Sequence, residues 1–337
     1  MKNTINIPAL EKWYQDNHRP LPFREHSNPY YIWVSEIMAQ QTQIETVIPY
    51  FNRFIARFAT IEDLAETDSD TLHKMVEGIG YYRRFQHMHE AAKLIVANFD
   101  GIFPSHYDAV RSLPGVGEYT AGAIMSIAYD QPFAATDGNV IRVLSRYYGL
   151  RDDMRTTPAR KKITLLNQAL IKMATPHVYT QAMMELGALI CRPNNPLCDR
   201  CPLQSHCQAF SLQLTRELPV ISPLKKPTSK HFITLIVEYN QQRAVIKKEV
   251  GLLKGMFLYP QYETDDIYEV KTSLESRGCT IDNLVFVKKV THVFTHQIWM
   301  MNVYKIALST PPTPAMWQFV DDISTLPMAV AHRKIKI

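Results

Sequence analysis

Residues 113–117 read Leu113-Pro114-Gly115-Val116-Gly117, between a short helical stretch (Tyr107 to Ser112) and a longer one that begins near Glu118. Proline fixes one backbone angle and glycine permits the left-handed one, so these residues make a tight turn between two helices. A turn at a helix N-terminus directs backbone N–H groups outward, a neutral way to hold a phosphate. An ordinary connection between packed helices would satisfy the same five residues, so the neighbouring stretches must decide.

Outward from the turn, residues 1–213 read as a run of helices. Asn28-Pro29, Thr157-Pro158 and Thr175-Pro176 each resemble an N-cap followed by proline at the first helical position. The stretches after them have helical spacing: Trp33, Ile37 and Gln40; Ile163, Leu166 and Leu170; Val178, Met183, Leu186 and Ile190. Residues 82–98 and 118–129 fit the same pattern, and no strand alternation interrupts it. The segment 218–230, LPVISPLKKPTSK, has three prolines and several polar residues and reads as a linker. Beyond it the texture is β, in HFITLIVEY, RAVIKKE, MFLYPQY, NLVFVKK and HQIWMMNVYKIAL, with room for one helix over 264–277. The expectation is an all-α domain over 1–217 and a small α+β domain over 231–337.

The chain has 337 residues, which suggests about two domains. Apolar residues at 46% and charged residues at 20% are those of an ordinary globular protein able to bury sizeable cores. No stretch approaches about 18 uncharged apolar residues, which excludes a membrane-spanning helix. The start, MKNTINIPALEKWYQDN, lacks a basic segment followed by an apolar run, so no secretory leader is expected. A cytoplasmic location follows, nucleoid-associated if the source is bacterial. The net charge of +5 invites a nucleic-acid partner, but it is unevenly placed. Residues 1–220 carry 22 Lys/Arg and 22 Asp/Glu, whereas 221–337 carry 15 and 10, including Lys225, Lys226, Arg333, Lys334 and Lys336. The helical part is neutral, so any DNA it holds must be gripped by local donors such as the turn's amides.

Four of the five cysteines, Cys191, Cys198, Cys201 and Cys207, fall in a C-x6-C-x2-C-x5-C pattern. Four thiolates this close need the charge compensation of a metal centre, because disulfides rarely persist in a reducing compartment. Spacing alone leaves a four-cysteine zinc site and a 4Fe–4S cluster both open, although zinc ribbons usually pair two close knuckles and only one is present. Either group would staple the end of the helical domain. Cys279 stands alone.

Two carboxylates draw attention. Glu36 shares a helix face with Ile32, Trp33 and Gln40, where desolvation would raise its pKa into the range of a useful acid. Asp137 precedes Gly138-Asn139-Val140 at a helix start, the position of an N-cap whose pKa the helix dipole would lower.

Taken together, LPGVG at 113–117, the cysteine pattern and the Asp that opens a helix at 137 resemble the helix-hairpin-helix DNA glycosylase superfamily. Within it, VSEIMAQQTQIETVIPYF (34–51), EGIGYYRR (77–84), TDGNVIRVLSR (136–146) and QAMMELGALIC (181–191) resemble the MutY-type adenine DNA glycosylases. The likeness runs from about residue 8 to 212. It implies a 4Fe–4S cluster on the four cysteines and excision of adenine from pairs with 8-oxoguanine, and with guanine, in double-stranded DNA by a monomeric enzyme.

The resemblance also assigns roles. Glu36 aligns with the acid that protonates the adenine ring, and Asp137, with Asn139 beside it, faces the sugar as positive charge develops at C1′. Tyr119 stands where endonuclease III-type relatives carry a lysine nucleophile, which implies a glycosylase without strand-cleaving activity. Arg24 and Gln181 match pocket residues near the adenine. Gln41, Thr42, Ile79 and Tyr81 match positions beside the 8-oxoguanine, with Ile79 between Gly78 and Gly80 expected as a protruding tip. Gly115, Val116 and Gly117 match the phosphate-binding hairpin. The C-terminal part resembles the family's Nudix-like lesion-reading module through GLLKGMFLYPQYE (251–263) and VFTHQIWMMNVY (293–304), with Thr295 and His296 toward the oxidised guanine. No G-x5-E-x7-R-E-x2-E-E box is present, so that module reads as a reader and not a hydrolase. Phe23, Ala39 and Thr295 depart from the family's usual tryptophan, leucine and serine. The competing functions are a bifunctional glycosylase with lyase activity and a non-catalytic iron–sulfur protein that binds damaged DNA.

Overall fold

The structure is a computed structural model and describes residues 4–224, 226–313 and 315–335. Lys225 and Lys336 lie outside the described residues. Among the described residues no helix is long and apolar enough to cross a membrane. By contact the chain divides into two units, Met1–Glu66 with His87–Pro223, and Thr67–Gln86 with Leu224–Ile337.

The first unit is helical. It contains α1 (Ile7–Asn17), α2 (Pro29–Ala39), α3 (Ile44–Arg57) and α4 (Ile61–Glu66). The chain then passes through α5 (Ser69–Met75) and the start of α6 (Arg83–Phe99), which belong with the second unit, before the first unit resumes. There follow α7 (Tyr107–Ser112), α8 (Glu118–Ile127), α9 (Gly138–Tyr147), α10 (Thr157–Ile171), α11 (Pro176–Leu189) and the short α12 (Gln208–Ser211). The proline starts behave as caps with one shift. Asn28 accepts from Tyr30 N–H and Thr175 caps α11, but α10 is capped by Thr156, which places Thr157 inside the helix. Helix α11 packs on α1, α8 and α9. Its buried Tyr179, Met183 and Leu186 join Leu10, Val140, Leu144 and Ile163 in one core, and three of the clustered cysteines pack on the edge of that core.

The second unit is built on a sheet ordered β3-β2-β1-β6-β5, from β1 (Thr228–Tyr239), β2 (Gln242–Lys247), β3 (Phe257–Leu258), β5 (Thr280–Val293) and β6 (Gln297–Thr310). Here β4 (Gln261–Tyr262) pairs with β1, and β7 (Gln318–Val320) pairs with β2. β1 and β6 run parallel, while β5–β6 and β1–β2 are antiparallel. Asn240 and Gln241 turn the β1–β2 hairpin at φ of 48° and 66°, the two left-handed residues that a tight hairpin requires. Helix α13 (Ile267–Glu275) lays Val270 and Leu274 on Ile233, Leu235 and Val237 of β1. A last turn, α14 (Val330–Arg333), follows.

Two expectations are refined. MFLYPQY divides into β3 and β4 at Pro260, which has no N–H to give a ladder. Residues 228–230, at the end of the expected linker 218–230, already pair with 297–299 of β6.

Candidate active site

The turn at 113–117 sits between α7 and α8. Val116 N–H bonds to Leu113 O at 3.1 Å and Gly115 takes φ of +75°, so Pro114-Gly115 occupy the middle of a type II turn. Gly115 is needed twice, because a Cβ there would also lie 2.8 Å from His87 Cβ. Both glycines are exposed, and no acceptor for the N–H of Gly115 or Gly117 is found among the described residues. Val116 corrects the expectation. Its N–H is used by the turn, its carbonyl accepts from Arg111 Nη1 at 2.8 Å and its side chain is 3% exposed. The anion-binding capacity is therefore that of Gly115, Gly117 and the first turn of α8.

Tyr119, in that first turn, points its hydroxyl at α2 and donates to Glu36 Oε2 at 2.6 Å. Glu36 is enclosed enough that burial pushes its carboxyl up, Tyr119's hydrogen bond pulls it down, the Asp137 charge raises it and Arg24 lowers it, leaving it at about 7. Burial, with the charges of Glu36 and Asp137, holds the Tyr119 phenol well above its ordinary value, so it remains a donor and does not form a phenolate.

Asp137 caps α9, its Oδ1 accepting from Val140 N–H at 2.7 Å and its Oδ2 from Asn139 Nδ2 at 2.8 Å. The expected lowering of its pKa is overturned. Burial raises it, outweighing the Val140 and Asn139 bonds and the Arg142 charge. Asn139 Oδ1 in turn accepts from Arg142 Nη2 at 2.7 Å, and Arg142 also reaches Gly187 O and Cys191 O. Gly187 lets α11 approach this closely, because a Cβ there would lie 2.5 Å from Asn139 Cβ.

Arg24, from a short 3-10 turn, donates to Glu185 Oε2 at 2.8 Å, and Arg19 closes on the same carboxylate through Nε (2.8 Å), Nη2 (2.9 Å) and its own N–H (3.0 Å). Glu185 is fully buried, yet the bonds from Arg19 and Arg24 outweigh burial and hold its carboxyl at about 2. Sequence reasoning missed Arg19 and Glu185. The signal was available, since Glu185 is the sole Asp, Glu, Lys or Arg in the apolar helix Pro176–Leu189. Gln181 lies one turn earlier on that helix and donates to His177 O at 3.1 Å. After α2, Gln41 is exposed with φ of 57°, and Thr42 Oγ1 donates to Gln40 O at 3.3 Å.

The four clustered cysteines line one pocket of about 320 Å³ together with Arg146, Ile190 and Phe210. Burial pushes up the thiols of Cys198, Cys201 and Cys207, Cys201 to about 12, so the set ionises only against bound cations. Arg146, 3% exposed, organises the loop by donating to Leu218 O, Arg192 O, Pro193 O and Cys191 Sγ. These residues fit a cluster.

In the second unit, Ile79 is not the expected tip, since it is 7% exposed and its flanking glycines turn the chain inward at φ of 100° and 81°. Tyr81 stands out instead, 49% exposed at φ of 50°, with its hydroxyl 3.2 Å from Thr295 Oγ1. Thr295 and His296 are both exposed and form the two-residue tip of the β5–β6 hairpin, closed by Phe294 N–H to Gln297 O at 2.8 Å.

Comparison with known proteins bears on the family and the fold. Residues 34–169 match the family described as HhH-GPD superfamily base excision DNA repair protein. An adenine DNA glycosylase of Buchnera aphidicola is 33% identical over 94% of this chain and 92% of its own length. The adenine DNA glycosylase of Mus musculus is 31% identical over 97% of this chain and 76% of its own. Among solved structures, a thermostable thymine-DNA glycosylase superposes with a TM-score of 0.55 at 25% identity, over 61% of this chain and 95% of that one.

Proposed function

The chain belongs to the adenine DNA glycosylase family of the HhH-GPD superfamily and is a DNA N-glycosylase of base excision repair, and on that premise we propose that it removes adenine paired with 8-oxoguanine or guanine without cutting the strand. The observation that supports this most directly is the 2.6 Å Tyr119–Glu36 bond within reach of the Asp137 charge, with no lysine at position 119. A target adenine must leave the stack to reach such a site, at a cost of roughly a few kcal/mol.

Glu36, pushed up to about 7, is protonated in a large share of molecules near neutral pH and delivers that proton to a ring nitrogen of the extruded adenine. The N-glycosidic bond breaks with its electron pair going to the protonated base. The oxocarbenium left on the sugar is stabilised by the Asp137 carboxylate, whose negative charge the bonds from Val140 N–H and Asn139 and the charge of Arg142 favour, although burial opposes it. Water then adds at C1′ and gives its proton to the Glu36 carboxylate, which restores the acid. Tyr119 orients Glu36, and a phenol has no amine with which to form a Schiff base, so an abasic site is the product. Arg24, fixed by Glu185, lies near enough for its charge to lower the Glu36 carboxyl, and Arg24 and Gln181 are assigned to the adenine pocket.

Gly115, Gly117 and the α8 start hold a phosphate of the duplex, and Gln41 and Thr42 approach the opposite base. Tyr81, Thr295 and His296 read the 8-oxoguanine from a Nudix-like second unit. Cys191, Cys198, Cys201 and Cys207 would hold a 4Fe–4S cluster, which when bound compensates the thiolates and fixes the loop beside α9. The working unit is a monomer on double-stranded DNA.

The test is base release from duplexes with adenine opposite 8-oxoguanine, guanine or thymine, with Glu36→Gln as control and borohydride present in a parallel reaction. Base release from the first two, lost in Glu36→Gln with binding kept, and no trapped adduct are expected. A borohydride-trapped covalent complex would establish the lyase alternative, and unchanged behaviour of Glu36→Gln would leave a binding protein.

A further inference from the structure

The loop that carries Tyr81 has little regular structure of its own. Between α5 and α6, Gly78, Gly80 and Tyr81 all take left-handed backbone angles, and Gly78 N–H to Tyr82 Oη, Ile79 N–H to Val76 O and Arg84 N–H to Tyr81 O brace it from within. It is also held from outside, at its first residue. Glu77, with a side chain 10% exposed, accepts from Lys74 Nζ at 2.9 Å and from Met328 N–H at 2.9 Å, and Arg333 Nη1 lies 3.6 Å away. Lys74 Nζ simultaneously donates to Ser324 O at 2.6 Å and Leu326 O at 3.0 Å. One ion pair thus joins the loop's base to the segment 324–333. That segment is tied to the sheet, as Met328 bridges to Phe257 and Tyr259 N–H donates to His332 Nδ1 at 3.2 Å. Further along, Gln86 Nε2 donates to Lys254 O at 2.7 Å.

We propose that the Lys74–Glu77 pair is a positioning latch that fixes the 77–82 loop on residues 324–333, so that Tyr81 meets Thr295, and thereby sets the preference for adenine opposite 8-oxoguanine over adenine opposite guanine. The preference itself rests on the lesion-reading role proposed above. Lys74 and Glu77 bond to residues 324–333 and not to Tyr81 or Thr295. They act through Tyr81, whose hydroxyl reaches Thr295 only while both the loop and the β5–β6 tip are held. A largely enclosed carboxylate that accepts from Lys74 Nζ and Met328 N–H is suited to this, because removing it strands Met328 N–H and leaves Lys74 without its counter-charge.

The experiment compares full-length wild type, Glu77→Ala and Glu77→Gln by single-turnover base release on both duplexes, with hydrogen exchange followed over residues 77–82. Glu77→Ala is expected to lower the preference by about tenfold, mainly through the 8-oxoguanine duplex, and to speed exchange at 77–82 ahead of the sheet. Glu77→Gln, which still accepts from Met328 N–H, should recover most of the preference. An unchanged preference in Glu77→Ala, or an equal loss on both duplexes with faster exchange throughout, overturns the latch. If wild type shows no preference, the lesion-reading role fails and the preference claim with it. The exchange comparison then shows independently whether Glu77 holds the loop.

Discussion

Tyr119 and Glu36 are 83 residues apart in the chain and 2.6 Å apart in space, the phenol donating to the carboxylate from the first turn of the helix that follows the glycine turn. The element suited to a DNA phosphate therefore also carries the side chain that sets the acid. Removing that donor has a definite sign. The bond favours the Glu36 anion, so Tyr119→Phe raises the Glu36 pKa above about 7 and moves the alkaline limb of the pH–rate profile upward. Single-turnover rates measured across pH should show the shift. A limb that stays put or moves down would separate Tyr119 from control of the acid.

Glu36 should also cost the protein stability. Its carboxyl is raised from 4.5 to about 7 on folding, so the folded state binds the proton more tightly than the unfolded one. The stabilising protonated form is fully present below 4.5 and is lost as pH rises through about 7. Glu36→Gln should therefore melt higher than wild type above that pH, and the difference should shrink toward acid. Thermal melts at three pH values suffice, and a difference independent of pH would contradict the raised pKa.

Asn139 relays Arg142 to Asp137 through bonds of 2.7 and 2.8 Å. Asn139→Ala removes one donor from the carboxylate and lets it turn, so single-turnover base release should slow by about 10- to 100-fold. Affinity for a duplex carrying an abasic site should hold. A matched loss of affinity would place Asn139 in DNA binding.

Gly115→Ala faces both a left-handed backbone at φ of +75° and a Cβ 2.8 Å from that of His87. Duplex affinity should fall by about tenfold as the turn's amides move, and the rate at saturating enzyme should change less. Full affinity in Gly115→Ala would remove the turn from the DNA-binding surface.

The cysteine pocket should yield a brown protein with iron and sulfide near four each per chain, about the content of one 4Fe–4S cluster. Cys201→Ser should lose the colour and lower the melting temperature, because the loop from 191 to 207 then closes on nothing. Colourless protein with stoichiometric zinc would overturn the assignment.

The sequence by itself determined the elements that rest on local chemistry. Pro114-Gly115 favour a type II turn by their own backbone angles, Asn28 caps α2 because its side chain reaches an N–H two residues on, and the spacing of the four cysteines points to a shared ligand. It also placed the charge, and a neutral first 220 residues pointed to amides as the grip on DNA. Only the tertiary structure decided what depends on distant packing. Burial raised Glu36 in the direction its helix face had indicated, but for Asp137 it reversed the sign that the helix dipole alone would give. Ile79 turned inward and Tyr81 outward, although both sit beside glycines, and residues 67–86 joined the sheet unit 140 residues downstream. Those outcomes turn on which surfaces meet, and desolvation and ion pairing between remote segments leave no mark in a local pattern.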